Sequence, residues 1–263
     1  MHYLHYRESG EHSSGGSPLL FLHGLFGSSS NWGRVVSHFA SKHRCILPDL
    51  RNHGRSFHAA DVGYEAQADD LIRLMNHLDI KTASIIGHSM GGKVAMELAL
   101  QYPERCERLV VVDIAPVSYR HGFGEIIDSL RSIDLTLLGS RQEADNLLGK
   151  RLADPGLRGF LLQNLVRDNG RWIWRLNLEA LAEGQQEIVG FPAKRRRPYG
   201  GQSLFVAGEK SSYINYQDHA TIQQLFPGAS IVTIPGAGHW VYAEKPGPFI
   251  EQLDRFLQTS PRQ

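Results

Sequence analysis

Ile85-Ile86-Gly87-His88-Ser89-Met90-Gly91-Gly92 is the stretch on which the reading of the fold turns. An apolar, β-branched run over 83–87 (ASIIG) passes through Gly-x-Ser-x-Gly straight into Gly91 to Gln101, whose spacing predicts a helix closed by Tyr102-Pro103. A strand that turns into a helix over a serine is a nucleophile elbow, a turn that lifts the hydroxyl above the sheet edge. The two glycines answer a steric need, because the serine backbone is strained and side chains two residues to either side would meet the neighbouring strand and helix. Five residues of this pattern arise by chance in about one of every five to ten chains this long. The strand-to-helix setting is what makes them specific.

Working outward, residues 18–22 (PLLFL), 44–50 (RCILPDL) and 106–113 (CERLVVVD) repeat one plan, a short apolar run ending at a Gly, Pro or Asp turn. Such runs suit strands buried on both faces. Between them the pattern is helical, over Asn31 to Lys42 and over Glu65 to Leu78, where Leu71, Leu74, Met75 and Leu78 fall at i, i+3, i+4 and i+7. Strand and helix alternate, which implies a parallel sheet. From Ala115 to about Gly200 the alternation stops, and segments such as GEIIDSLRSIDLTLL read as helices with no strand expected. It resumes with a strand over Gln202 to Gly208, a helix near Tyr216 to Leu225, a strand over Ser230 to Ile234 and a helix from Pro248 to Leu257. The expected layout is a core built from residues 1–114 and 201–263, interrupted by a helical cap over 115–200.

With 263 residues, 41% of them hydrophobic and 21% charged, the chain has material for a full core without staples. Twenty-eight Lys and Arg face 27 Asp and Glu, a net charge of +1, so no overall field favours nucleic acid or an anionic membrane as partner. The first twenty residues are polar and no apolar run approaches the ~18 residues of a membrane span, so no membrane insertion and a cytoplasmic location are expected. The two cysteines, Cys45 and Cys106, each lie at an apolar strand-like run and are expected as reduced core thiols.

A serine hydroxyl attacks carbonyl carbon only when a base takes its proton. Of thirteen histidines, His239 stands out, in the glycine-rich turn Pro235-Gly236-Ala237-Gly238-His239-Trp240 that follows the last predicted strand. His23 and His88, flanked by glycines, read as shapers of their loops. No pair has a metal-ligand spacing such as H-E-x-x-H, so no metal site is expected. The anion formed on attack needs aimed N–H donors, one from the residue after the nucleophile, Met90, and one from the loop His23-Gly24-Leu25-Phe26-Gly27. Leu25 is the expected second donor with Phe26 as the alternative. Phe26 and Trp240 are the expected substrate contacts.

Taken together, HGLFGS (23–28), DLRNHGRS (49–56), GHSMGG (87–92), VVDIAP (111–116), FLLQNLVRDNGRWIWRLNLEAL (160–181) and PGAGHWVYAEKP (235–246) resemble the α/β-hydrolase superfamily, and within it the small YbfF-type esterase branch. The resemblance runs over nearly the whole chain. It implies an α/β fold with a mostly parallel eight-stranded sheet flanked by helices, a helical lid, and hydrolysis of short-to-medium acyl esters or thioesters without cofactor. The superfamily's commonest acid lies about three residues past the glycine ending QSLFVAG, where this chain has Ser211, which cannot serve. Glu209 falls early in that turn and Asp218 lies well into the next helix. Asp113 ends a strand that neighbours the one carrying Ser89 in this fold, and its carboxylate would open at the same sheet edge. The expected set is therefore Ser89, Asp113 and His239, with Leu25 and Met90 as oxyanion donors and Glu209 as the rival acid.

The same residues admit plainer readings elsewhere. Asp49 and Arg51 are expected to knit their loop into the site wall, Lys194-Arg195-Arg196-Arg197 to form a solvated hinge, and Phe160, Trp172 and Trp174 to fill the cap core. The expected function is a serine carboxylesterase acting on a small acyl ester. Its rivals are an acyl-CoA thioesterase, a C–C bond hydrolase or lactonase using the same triad, and a non-catalytic binding module on the same fold. A serine nucleophile argues against the dehalogenase and epoxide-hydrolase chemistry that uses aspartate.

Overall fold

In the computed structural model, which describes residues 3–10, 16–120, 122–192 and 197–259, the short apolar runs are strands and the spaced ones are helices. The strands are β1 (Tyr6–Ser9), β2 (Leu19–Leu22), β3 (Cys45–Pro48), β4 (Ala83–His88), β5 (Cys106–Val112), β6 (Leu165–Asp168), β7 (Arg171–Trp174), β8 (Gln202–Gly208) and β9 (Ala229–Ile234). Seven of them form one sheet in the order β1-β3-β2-β4-β5-β8-β9, parallel except where β1 runs against β3. Eight strands were the expectation. Among the described residues there are seven, with β1 paired directly to β3 through Tyr6 and Pro48, while residues 11–15 between β1 and β2 lie outside the described part.

The helices are α1 (Gly33–Phe39), α2 (Tyr64–His77), α3 (Met90–Gln101), α4 (Gly124–Arg131), α5 (Arg141–Leu148), α6 (Pro155–Leu161), α7 (Leu178–Glu183), α8 (Gln185–Val189), α9 (His219–Leu225), α10 (Val241–Glu244) and α11 (Pro246–Gln258). Alternation along each central strand builds two cores. In β5, Leu109 and Val111 join Leu71, Leu74 and Met75 of α2 and Val94 and Leu98 of α3, while Val110 and Val112 face Val36 and Phe39 of α1 and Phe249 and Leu253 of α11. Both faces are covered, which is why the strands read as unbroken apolar runs. Trp32 is fully buried and stacks on Tyr242 of α10 with ring centroids 4.0 Å apart, an aromatic contact worth about 1 kcal/mol beyond its buried area. That stack fixes the chain just after His239-Trp240. Cys45 and Cys106 are both buried and unpaired, as expected, and burial pushes both thiols up to about 12.

Between β5 and β8 the chain leaves the sheet and forms α4 to α8. The expectation of helix alone fails here, because β6 and β7 make a hairpin in which Asp168 pairs with Arg171 across Asn169-Gly170. Both turn residues have positive φ, +47° and +80°, the backbone of a type I′ turn. The Asn-Gly signal was present in LVRDNGRWIW and is specific for a hairpin, but apolar spacing drawn from the flanking helices masked it. The basic run at 194–196 lies outside the described residues. Among those described, no helix is long and apolar enough to cross a membrane.

Candidate active site

Ser89 leaves the end of β4 at φ +52° and ψ −119°, a backbone conformation that L-residues adopt only under constraint. Its two glycines are explained by distances. A Cβ on Gly87 would stand 2.1 Å from the carbonyl oxygen of Gly91, and one on Gly91 would stand 2.5 Å from that of His23, beyond the end of β2. The serine N–H donates to the carbonyl of Val112 (3.0 Å), so the elbow is tied to the neighbouring strand. Its side chain opens into a cavity of about 200 Å³ that is also lined by Leu25, Phe26, Phe160, His239 and Trp240.

Asp113 follows β5 one strand over and is also held at positive φ, +52°. His88 pairs with Val112 and Val112 with Val206, so β4, β5 and β8 all end at this edge and bring the two loops together. The Asp113 carboxylate is fully buried. It accepts hydrogen bonds from the Gly208 N–H (2.9 Å), from the Ser211 hydroxyl and from His239 Nδ1 (2.7 Å). An ionised carboxylate only accepts, so Nδ1 carries the ring proton and Nε2 is left with its lone pair. Tyr213 stacks on the His239 ring at 4.2 Å, and the backbone carbonyl of His239 accepts from His88 Nε2 (2.8 Å). Glu209, the rival acid, points away and accepts from the Gly236 N–H (2.7 Å), closing the turn that presents His239.

The first glycine loop is organised by two buried imidazoles. Nε2 of His23 accepts from the Leu50 N–H (2.9 Å) and Nε2 of His53 from the Phe26 N–H (3.2 Å), while their Nδ1 groups donate to the carbonyls of Gly24 and Arg51. Phe26, at φ +62°, thus has its N–H committed to His53. Met90 begins α3, where helix geometry leaves the first N–H groups unsatisfied. Asn164, from the segment inserted between β5 and β8, donates to the Phe26 carbonyl (2.8 Å) and docks that segment on the loop. Among the described residues no group of three His, Cys, Asp or Glu is placed to hold a metal ion.

The sequence matches the family profile described as the alpha/beta hydrolase fold over residues 17–246. This chain belongs to the α/β-hydrolase fold family. The hydrolase is 42% identical to the "sn-1-specific diacylglycerol lipase ABHD11" of Mus musculus over 247 residues, covering 91% of this chain and 80% of that one. It is 34% identical to "Esterase YbfF" of Escherichia coli (strain K12) over 253 residues, covering 95% and 96%. Among solved structures, a "Marine microorganism esterase" superposes with a TM-score of 0.93 at 37% identity, covering 97% of this chain and 100% of that one.

Several parts of the hydrolase site were not read from sequence. Ser211 occupies the place where an acid was sought; instead of replacing Asp113, it donates to it. A polar residue three past the strand-ending glycine was the available signal. Tyr213 carried none. Phe160 was assigned to cap packing, yet it borders the cavity with its ring 5.8 Å from that of Trp240, because α6 turns this face toward the sheet edge. Asp49 and Arg51 hold their loop, Asp49 accepting from the N–H groups of Ser29 (2.7 Å) and Arg55 (2.9 Å) and Arg51 pairing with Asp70 at 2.6 Å. Neither borders the cavity with Ser89.

Burial lowers the pKa of His23, of His88 and of His53, the last to about 3. An unfolded histidine titrates near 6.5, so below that pH the unfolded chain binds protons that the folded one refuses. Stability is therefore complete only about one pH unit above 6.5 and falls as pH drops through that value toward the folded ones. Each such histidine contributes about 1.4 kcal/mol per pH unit in that window. Urea unfolding at pH 7.5, 6.5 and 5.5 is expected to show a small loss in the first step and a larger one in the second, about 1 kcal/mol for each histidine that stays neutral. An equal stability at 6.5 and 5.5 would contradict neutral burial of these rings.

Proposed function

We propose that this ester hydrolase is a serine carboxylesterase that takes short-to-medium acyl esters through an acyl-enzyme on Ser89. One observation carries the reading: a strained serine and a histidine bonded to a fully buried carboxylate border the same cavity. Ser89 Oγ attacks the ester carbonyl as His239 Nε2 takes its proton, with Asp113 fixing the tautomer and stabilising the imidazolium. The oxyanion lies against the N–H groups of Leu25 and Met90. Collapse breaks the C–O bond, and the leaving alcohol takes the proton from His239. Water then gives a proton to His239 and its oxygen to the acyl carbon, and the acid departs as the proton returns to Ser89.

Residues 115–200 act in this reading as the cap, with Phe26, Phe160 and Trp240 as walls against the substrate. A cytoplasmic location fits the two free buried thiols. The cavity is small beside the ~300–1,000 Å³ of most ligand pockets, which favours a bounded substrate over an extended lipid. A panel of acetyl to palmitoyl esters, with the matching acyl-CoA thioesters, is expected to give the highest kcat/KM to short and medium esters and a drop of about tenfold or more at palmitoyl. Faster turnover of long-chain diacylglycerol would replace this reading with the lipase activity named for the mouse relative. A preference for the thioesters would make the protein a thioesterase.

A further inference from the structure

Lys93 lies one helical turn beyond Ser89 on α3 and is buried to 1% exposure. Its ammonium donates to the carbonyls of Val189 (2.8 Å) and Gly190 (2.5 Å), at the end of α8, and stands 4.8 Å over the Tyr119 ring and 5.7 Å from that of Tyr64. An ammonium has three hydrogens to give, and two are placed. Among the described residues no carboxylate pairs with it. A buried cation without a counter-charge is costly, and an anion brought beside it offsets that cost.

What adjoins it is a second, narrow cavity of about 20 Å³, room for one or two water-sized groups, bordered by Leu25, Ser89, Met90, Lys93, Tyr119 and Tyr213. Ser89 thus faces two spaces. His239, which hands its proton to the leaving alcohol, borders the wide one and not the narrow one. The alcohol half of the ester therefore lies on the wide side and the acyl half runs toward Lys93.

We infer that Lys93 is a specificity-determining residue whose ammonium receives the free carboxylate of a short acyl group, so that the favoured substrates are monoesters of short dicarboxylic acids. The inference rests on the assignment of Ser89 as nucleophile. Burial brings the Lys93 pKa down to about 7, so the charge is weakly held, and a carboxylate alongside stabilises it. A neutral acyl end reaching the same depth covers the ammonium and returns nothing.

The test compares monoethyl succinate with ethyl 4-methylpentanoate, whose branched end has the shape of the carboxylate without its charge, and uses ethyl butyrate as reference. The unmodified enzyme is expected to favour monoethyl succinate by about tenfold or more in kcat/KM, and Lys93→Met and Lys93→Gln to abolish that ratio. A ratio at or below one in the unmodified enzyme overturns the inference even if neither variant folds, and so does a ratio that survives in a folded Lys93 variant. If ethyl butyrate is turned over in those cases, the Ser89 reading stands alone. Failure to turn over any ester removes both.

Discussion

Ser89→Ala is expected to lower kcat by a factor on the order of 10⁶ with the fold retained. The loss is large because the hydroxyl is the atom that bonds to the acyl carbon, and no other hydroxyl stands at the elbow where Leu25 and Met90 can stabilise the resulting oxyanion. What survives is the contribution of those donors and of binding, together about 10³ over water. Stability is expected to change little, since alanine keeps the backbone N–H bond to Val112 and adds no atoms near Gly87 or Gly91. Single-turnover kinetics with a chromogenic ester, beside urea unfolding, separates the two effects. A folded Ser89→Ala enzyme that keeps more than a few per cent of turnover would contradict the mechanism.

Asp113→Asn is expected to cost about 10³ to 10⁴ in kcat, for a reason specific to this site. Gly208 N–H donates to Oδ1 of Asp113, and His239 Nδ1 and the Ser211 hydroxyl meet Oδ2. An asparagine is oriented by the same backbone N–H, which fixes its oxygen at the Oδ1 place and turns its NH₂ toward His239. That NH₂ donates, so Nδ1 must accept and the ring proton moves to Nε2, where the base is needed. The residue becomes the wrong tautomer without moving. Glu209→Gln, by contrast, keeps an oxygen that accepts from the Gly236 N–H and is expected to stay within a few-fold of the unmodified enzyme. Stopped-flow turnover of both variants decides between the acids. A large loss confined to Glu209→Gln would move the acid to that turn.

What could be read from the sequence follows from how local each signal is. Gly87, Ser89 and Gly91 were legible because the elbow is a single turn whose steric demands are met within five residues. His239 was legible because a glycine turn after a last strand is a local pattern too. Asp113 needed the topology, since what brings its carboxylate to His239 is that β5 lies between β4 and β8. The β6–β7 hairpin is announced only by Asn169-Gly170, while the apolar spacing on either side of that turn reads as helix. Ser211 carried only its place three past a strand-ending glycine, and Tyr213 and Phe160 carried no signal of their role. Their importance comes from which atoms they meet across the fold, a carboxylate, an imidazole and a cavity wall, and no spacing along the chain encodes that. Lys93 shows the same limit, since only burial turns an ordinary helical lysine into a cation without a counter-charge.

The central claim, that one serine activated by His239 and Asp113 carries the acyl group, is tested most directly by intact-mass analysis after treatment with an active-serine phosphonate. One adduct per chain is predicted, mapping to the peptide that holds Ser89, absent in Ser89→Ala and formed far more slowly in Asp113→Asn. An adduct on any other residue, or full labelling of Ser89→Ala, would contradict the account.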